Sequence, residues 1–135
     1  MNQPHHEIKL TKNQELVMGA LADTETPLSA YDILDQLRVV GFRGPPQVYR
    51  ALERLVEFGM VHRLESLNAF VACRHDGCDP HKMIVFASCE RCKKVSEIVD
   101  KSLAKRLETT AATAGFVPTK SVVELHGICA ECGID

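Results

Sequence analysis

Cys89-Glu-Arg-Cys92 and Cys129-Ala-Glu-Cys132 decide how the rest of the sequence is read. Each two-residue spacer lets a tight knuckle turn aim two sulfurs at one point, so the two pairs offer four thiolates in the tetrahedral arrangement that zinc prefers. A single Cys-x-x-Cys would serve equally as a redox dithiol; a second copy favours a structural zinc site. Disulfides are the competing reading, disfavoured in a reducing compartment. The intervening residues 93–128 exceed the loop of a short zinc ribbon. They must hold secondary structure that leaves the first knuckle and returns to it, so that the metal ties a whole sub-domain shut.

Working outward, 82–88 reads as a strand entering the first knuckle and 93–99 as a strand leaving it. Residues 101–114 read as a helix ended by Gly115, and 119–127 as a final strand, carrying Val122 and His126, that delivers the second pair. The result is a small α+β unit whose exposed strand edges favour pairing with a second copy.

Upstream, Thr11-Lys-Asn-Gln14 has the form of a capping box, and Leu16, Val17, Ala20 and Leu21 share one helical face. A helix over 12–23 follows. Ser29 with Asp32 is a second cap signal, ahead of a helix that ends at Gly41. Arg43-Gly-Pro-Pro46 is a stiff connector into a third helix, 46–58, with Gly59 as its stop. On this helix Val48, Leu52, Leu55 and Val56 gather on one side, Gln47, Arg50, Arg54 and Glu57 on the other, with Tyr49 at the boundary. Residues 60–64 and 69–73 then form a hairpin around a turn at 65–68. Three helices and a hairpin predict a winged helix-turn-helix whose third helix enters a major groove of double-stranded DNA, with Arg50 and Arg54 reaching phosphates or guanine edges. An ordinary solvated face explains the same arginines.

Composition restrains these readings. The net charge is −2, and residues 1–65 hold seven Lys and Arg against nine Asp and Glu, so there is no bulk basic field. DNA binding has to come from a few placed residues and from dimer geometry. Residues 1–10 read as a flexible polar arm, with no signal sequence, and no apolar run approaches a membrane span. A cytoplasmic location is expected, with no membrane partner and no small-molecule substrate. The expected architecture is α+β: a winged-helix domain at 1–73, a hinge and metal loop at 74–81, and a small α/β dimerisation domain at 82–135 closed by the four-cysteine zinc knuckle.

His62, Cys73, His81 and Glu97 are further borderline or soft donors on or beside the predicted strands, and together they suit four-coordinate Zn²⁺. A surface histidine, a small buried cysteine and a solvated carboxylate are the plainer reading. Against it, His62 and Cys73 belong to the hairpin, whereas His81 and Glu97 belong to the second half. A metal between them would lock one half against the other. The loop also carries Cys78, His75 and Asp79 as substitute ligands.

Leu28-Ser-Ala-Tyr-Asp-Ile-Leu-Asp35, Pro45-Pro-Gln-Val-Tyr-Arg-Ala-Leu52 and Gly59-Met-Val-His62 resemble the DNA-binding half of the ferric uptake regulator (Fur) family. Phe70-Val-Ala-Cys73, Cys89-x-x-Cys92 and Leu125-His-Gly-Ile-Cys-Ala-Glu-Cys132 resemble its zinc uptake branch. The resemblance implies a homodimeric, metal-dependent repressor in which Tyr49 and Arg50 touch DNA. It also implies two Zn²⁺ per protomer: a structural ion on Cys89, Cys92, Cys129 and Cys132, and a sensed ion on His62, Cys73, His81 and Glu97. A third metal site found in many relatives falls here on Ala104 and Ser121, which do not ligate.

Three other functions compete. A zinc hydrolase or deaminase needs a Glu base beside its metal, in deaminases as His-x-Glu near the cysteines; His5-His6-Glu7 lies in the polar arm, more than 80 residues before Cys89, so an enzyme is not expected. An interaction module would carry structural zinc without switching. Within the family, an iron or peroxide sensor is the runner-up, disfavoured by the thiolate at the sensing site.

Overall fold

The computed structural model describes residues 9–74 and 83–133. Most of the expected arm, together with His75, Cys78, Asp79 and His81, lies outside the described residues. Thr11 starts the first helix, α1 (Lys12–Ala22): its side chain accepts from Gln14 N–H, and the Gln14 side chain accepts from Thr11 N–H. This reciprocal cap satisfies donors that a helix start otherwise leaves unpaired. Ser29 and Asp32 repeat the device for α2 (Ala30–Leu37), which tightens into a 3-10 turn and stops at Gly41, where φ is 107°. Gly44 precedes α3 (Pro45–Glu57), whose first positions tolerate proline because their N–H groups have no intrahelical partner.

The hairpin consists of β1 (Val61–Leu64) and β2 (Ala69–Ala72), antiparallel with His62 opposite Val71. Leu28 adds to it by exchanging two backbone bonds with Phe70, of 3.0 and 2.8 Å. Val17, Leu21, Ile33, Leu34, Val48, Leu52, Leu55 and Phe70 fill the core between the three helices and the hairpin. The face of α3 that supplies Val48, Ala51, Leu52 and Leu55 has the helical spacing expected, although Val56 is only partly buried.

The second half contains β3 (Val85–Cys89), β4 (Val95–Ile98), α4 (Lys101–Thr113), β5 (Val123–Gly127) and a single turn, α5 (Ala130–Gly133). The sheet order is β4-β3-β5, with β3 antiparallel to β4 and parallel to β5. β5 is shorter than the predicted 119–127 because its pairing with β3 begins only at Val85 opposite Val123. α5 was not predicted. It forms where Cys132 and Gly133 N–H turn back onto Cys129 O at 3.1 and 2.8 Å.

A second, smaller cluster joins the halves: Leu64 and Val71 of the hairpin pack on Ile84 and Phe86, with Val95 alongside. Beside it a groove of about 660 Å³ separates Val56 and Arg63 from Ala104, Glu108 and Phe116. α4 has no buried residue. Phe116 and Val117 are 64% and 87% exposed, and Leu125 is exposed on β5. Among the described residues no helix is long and apolar enough to cross a membrane.

Leu55 is fully buried at the centre of the larger core. Leu55→Ala should cost about 2–5 kcal/mol of stability, read as a fall in the denaturation midpoint; an unchanged midpoint contradicts this packing.

Candidate metal centres and nucleic-acid interface

The parallel register puts Cys89 opposite Gly127, so the ends of β3 and β5 bring both Cys-x-x-Cys pairs to one edge of the sheet. The four sulfurs lie within 4.8 Å of one another. Tetrahedral zinc with bonds of about 2.3 Å requires sulfurs about 3.8 Å apart, and Cys92 Sγ and Cys129 Sγ are 3.8 Å apart. The donor set therefore fits that ion. Lys93, at φ 68°, turns the chain out of the first knuckle. Cys129 N–H and Cys92 N–H donate to Cys89 Sγ at 3.4 and 3.5 Å. These bonds, Cys129 first, lower the Cys89 thiol pKa from its usual value to about 6. Cys132 is pushed up to about 12, first by hydrogen bonding to the Cys129 side chain and then by desolvation. The cluster thus holds Cys89 ready as a thiolate, and a cation has to displace the proton that the other sulfurs stabilise on Cys132.

The second convergence lies where the halves meet. His62 comes from β1, Cys73 directly follows β2, and Glu97 stands on β4; their ligand atoms also lie within 4.8 Å of one another. Glu97 Oε1 is 3.7 Å from His62 Nε2 and 3.9 Å from Cys73 Sγ. The Glu97 side chain is 3% exposed and that of His62 11% exposed, so this carboxylate has been taken out of water. Arg74 N–H donates to its other oxygen at 2.9 Å, which turns Oε1 towards the two hairpin donors. The His62 ring leans on Phe86, centroids 5.3 Å apart, and Cys73 N–H donates to Met60 O at 2.9 Å, fixing the base of the hairpin. Nitrogen, sulfur and carboxylate at these spacings suit a borderline cation such as Zn²⁺. The Cys73 sulfur is disulfide-bonded in this structure, so ligation through it requires the reduced thiol. His81 and the substitutes Cys78, His75 and Asp79 lie outside the described residues.

Arg74 was not singled out from sequence. Its guanidinium donates to the carbonyls of Leu21 and Ala22, each at 3.4 Å, and to that of Thr24. A cation at the C-terminal end of α1 complements the helix dipole, and the same residue's backbone holds Glu97. One arginine thus links α1 to the second convergence. No motif announces it, because its partners are carbonyl oxygens.

On α3 the four residues expected to meet DNA differ in setting. Arg50 is exposed and, with Arg54, Gln47, Thr11 and Gln14, lines a depression of about 250 Å³ between α3 and the start of α1. Arg54 pairs with Glu57 at 3.2 Å and lies over the Phe58 ring. Gln47 Oε1 accepts from Arg43 N–H at 2.6 Å, so this side chain braces the connector into the helix. Tyr49 is half-buried against the main core.

The zinc uptake regulation protein of Escherichia coli (strain K12) is 37% identical over 126 residues, covering 93% of this chain and 73% of that protein. A solved structure described as a zinc uptake regulator complexed with zinc and DNA is 36% identical, covers 94% of this chain and 85% of its own, and superposes with a TM-score of 0.86. The holo form of XcZur, 40% identical, covers 93% of this chain and 86% of its own, with a TM-score of 0.84. Its apo form, at the same identity and with 96% and 89% covered, reaches only 0.50. The ferric uptake regulator family model matches residues 5–126, and with that match the chain belongs to the Fur family.

Proposed function

We propose that the chain is a zinc-responsive transcriptional repressor, a homodimer that binds a palindromic operator when zinc-loaded and controls zinc uptake genes. The observation that carries this reading is the convergence of His62 and Cys73 from the hairpin with Glu97 from β4. Donors drawn from both halves make cation binding depend on how the halves are placed. The closer superposition on the holo than on the apo form of XcZur supports the same reading, since sequence identity is equal for the two.

In this reading residues 1–73 form the DNA-binding domain, 74–81 the hinge and 82–135 the dimerisation domain. Cys89, Cys92, Cys129 and Cys132 hold structural zinc. His62, reduced Cys73 and Glu97 bind the sensed ion, with His81 as fourth ligand. Bound zinc supplies a positive charge that offsets the desolvated carboxylate and thiolate. Glu97, steered by Arg74 N–H, and His62, propped by Phe86, hold the hairpin against the sheet. Two reading helices per dimer are thereby kept at the separation of successive major grooves. Arg50 reaches the DNA with Tyr49 beside it, and Arg54 and Gln47 support them. Having no catalytic role, the protein acts on DNA in the cytoplasm. The thiolate of Cys73 favours zinc over Fe²⁺. The deciding experiment is an operator-binding titration against buffered free zinc, under reducing conditions, with zinc content per protomer measured in parallel.

Variants test the parts of this reading separately. Cys89→Ser should unfold or monomerise the second half, because metal-binding energy in such sites is folding energy; full zinc content and an unchanged dimer mass would contradict the assignment. Arg50→Ala should weaken operator binding by about 1–3 kcal/mol and relax preference at one base position if it reads a base edge. Wild-type affinity in the folded variant removes α3 as the reader. Zinc and operator should tighten each other by one common factor, about 5–150-fold for coupled sites, and Cys73→Ala should abolish that coupling while leaving the knuckle zinc in place. A mutant that keeps the zinc-dependent rise shows that Cys73 is not a sensing ligand.

A further inference from the structure

The hairpin is fastened at its tip as well as at its base. Ser66, in the turn between β1 and β2, donates its hydroxyl to Glu124 Oε1 and its backbone N–H to Glu124 Oε2 at 3.3 Å. Ser66 Oγ also lies 3.0 Å from His126 Nε2. Next to it, Glu65 meets Lys120 Nζ at 3.6 Å. Glu124 and His126 are two positions apart in β5, so they share one face of that strand. Because the serine hydroxyl has one proton and the carboxylate can only accept it, the imidazole is the donor to Oγ. The three side chains form one directed chain of hydrogen bonds.

These contacts belong to neither metal cluster, yet they join the same two halves. From His62 to the end of β1 at Leu64 is about 7 Å at the rise of a strand, and Ser66 lies in the turn beyond it. An attachment at the hairpin base alone would leave the winged unit free to rotate about it; a second one at the turn removes the rotation. We propose that Ser66, Glu124 and His126 are positioning residues, a latch between wing tip and dimerisation sheet that sets the orientation of the reading helix once the hinge cluster is closed. The proposal rests on the repressor reading above and extends it to residues that touch neither metal nor operator bases.

Glu124→Ala is the discriminating variant, since Glu124 stands on the dimerisation sheet and an anion gains nothing from DNA phosphates. Zinc content and dimer mass should stay at wild-type values. At saturating zinc, operator affinity should fall about three- to tenfold, the scale of one or two partly exposed hydrogen bonds to a charged group. Small-angle scattering of the zinc-loaded dimer without DNA should show a larger radius of gyration. Ser66→Ala should do the same, and the double variant should be no worse than either single one, as expected of groups acting as a unit. Wild-type affinity and wild-type scattering for Glu124→Ala overturn the latch. Loss in Ser66→Ala with a normal Glu124→Ala overturns it too and assigns Ser66 to direct DNA contact. If Glu124→Ala disturbs the dimer, Glu124→Gln, which keeps the volume but cannot accept both serine donors, is scored by the same criteria. If the wild type itself shows no zinc-dependent operator binding, the repressor reading has failed, and the scattering comparison alone decides the latch.

Discussion

The pairing of β5 beside β3 is the contact on which the second half of the molecule depends. Parallel strands cannot be joined by a tight turn and need a long crossover. Here the chain returns through β4 and α4 before β5 begins. Crossover helices normally hold such a pair together by covering the sheet with an apolar face, yet α4 buries no residue in the single chain. The ends of β3 and β5 are held instead by sulfur: Cys89 terminates one strand, Cys129 follows the other, and Glu90 N–H donates to Gly127 O at 2.7 Å between them. Four sulfurs brought this close cannot all be thiolates unless a cation offsets their charge, in keeping with the raised pKa of Cys132. The strand register brings the sulfurs together and a bound ion would let all four ionise there, and the remaining geometry, including the placement of Glu97 on β4, is referred to that edge.

Placement of the two halves relies on different physics. Among the described residues their shared apolar cluster is small, made of Leu64, Val71, Ile84, Phe86 and Val95, and a groove opens beside it. So little buried surface gives a weak preference for one arrangement. A few directed polar contacts can then shift the population between arrangements, because each acts in only one of them. Arg74 is a contact of this kind: it touches Glu97 through its backbone and the end of α1 through its guanidinium. The start of the same helix flanks Arg50.

Local rules were legible in the sequence where each residue's partner was near in the chain. Both capping boxes, the proline entry to α3, the stop at Gly59 and the turn at Asn68 involve residues within a few positions of each other. The cysteine pairs were legible for another reason, since ligand type and spacing restrict what they can do. Long-range choices were not. Nothing in residues 85–89 or 123–127 announces that these strands run parallel, and the Leu28 bridge to Phe70 has no motif. Of the second metal set, His62, Cys73 and Glu97 do come together. Arg74, Ser66 and Glu124 were missed because a residue that binds a carbonyl or a distant carboxylate leaves no pattern. Gln47 was assigned outward from its helical face, although its side chain turns back to Arg43.

The exposed apolar residues of the second half have a consequence beyond assembly. Phe116, Val117, Val122, Leu125 and Ile128 remain open to solvent in a single chain, so much of the free energy that should fold this half has to come from a second copy. Folding is then second order in protomer, and the fraction folded rises with the amount present. Newly made chains at low abundance spend longer with these residues and the cysteine knuckle unprotected, open to proteases and oxidants. Chains above the dimerisation threshold are shielded from both. The concentration at which this half folds then also moves with whatever holds the four sulfurs together.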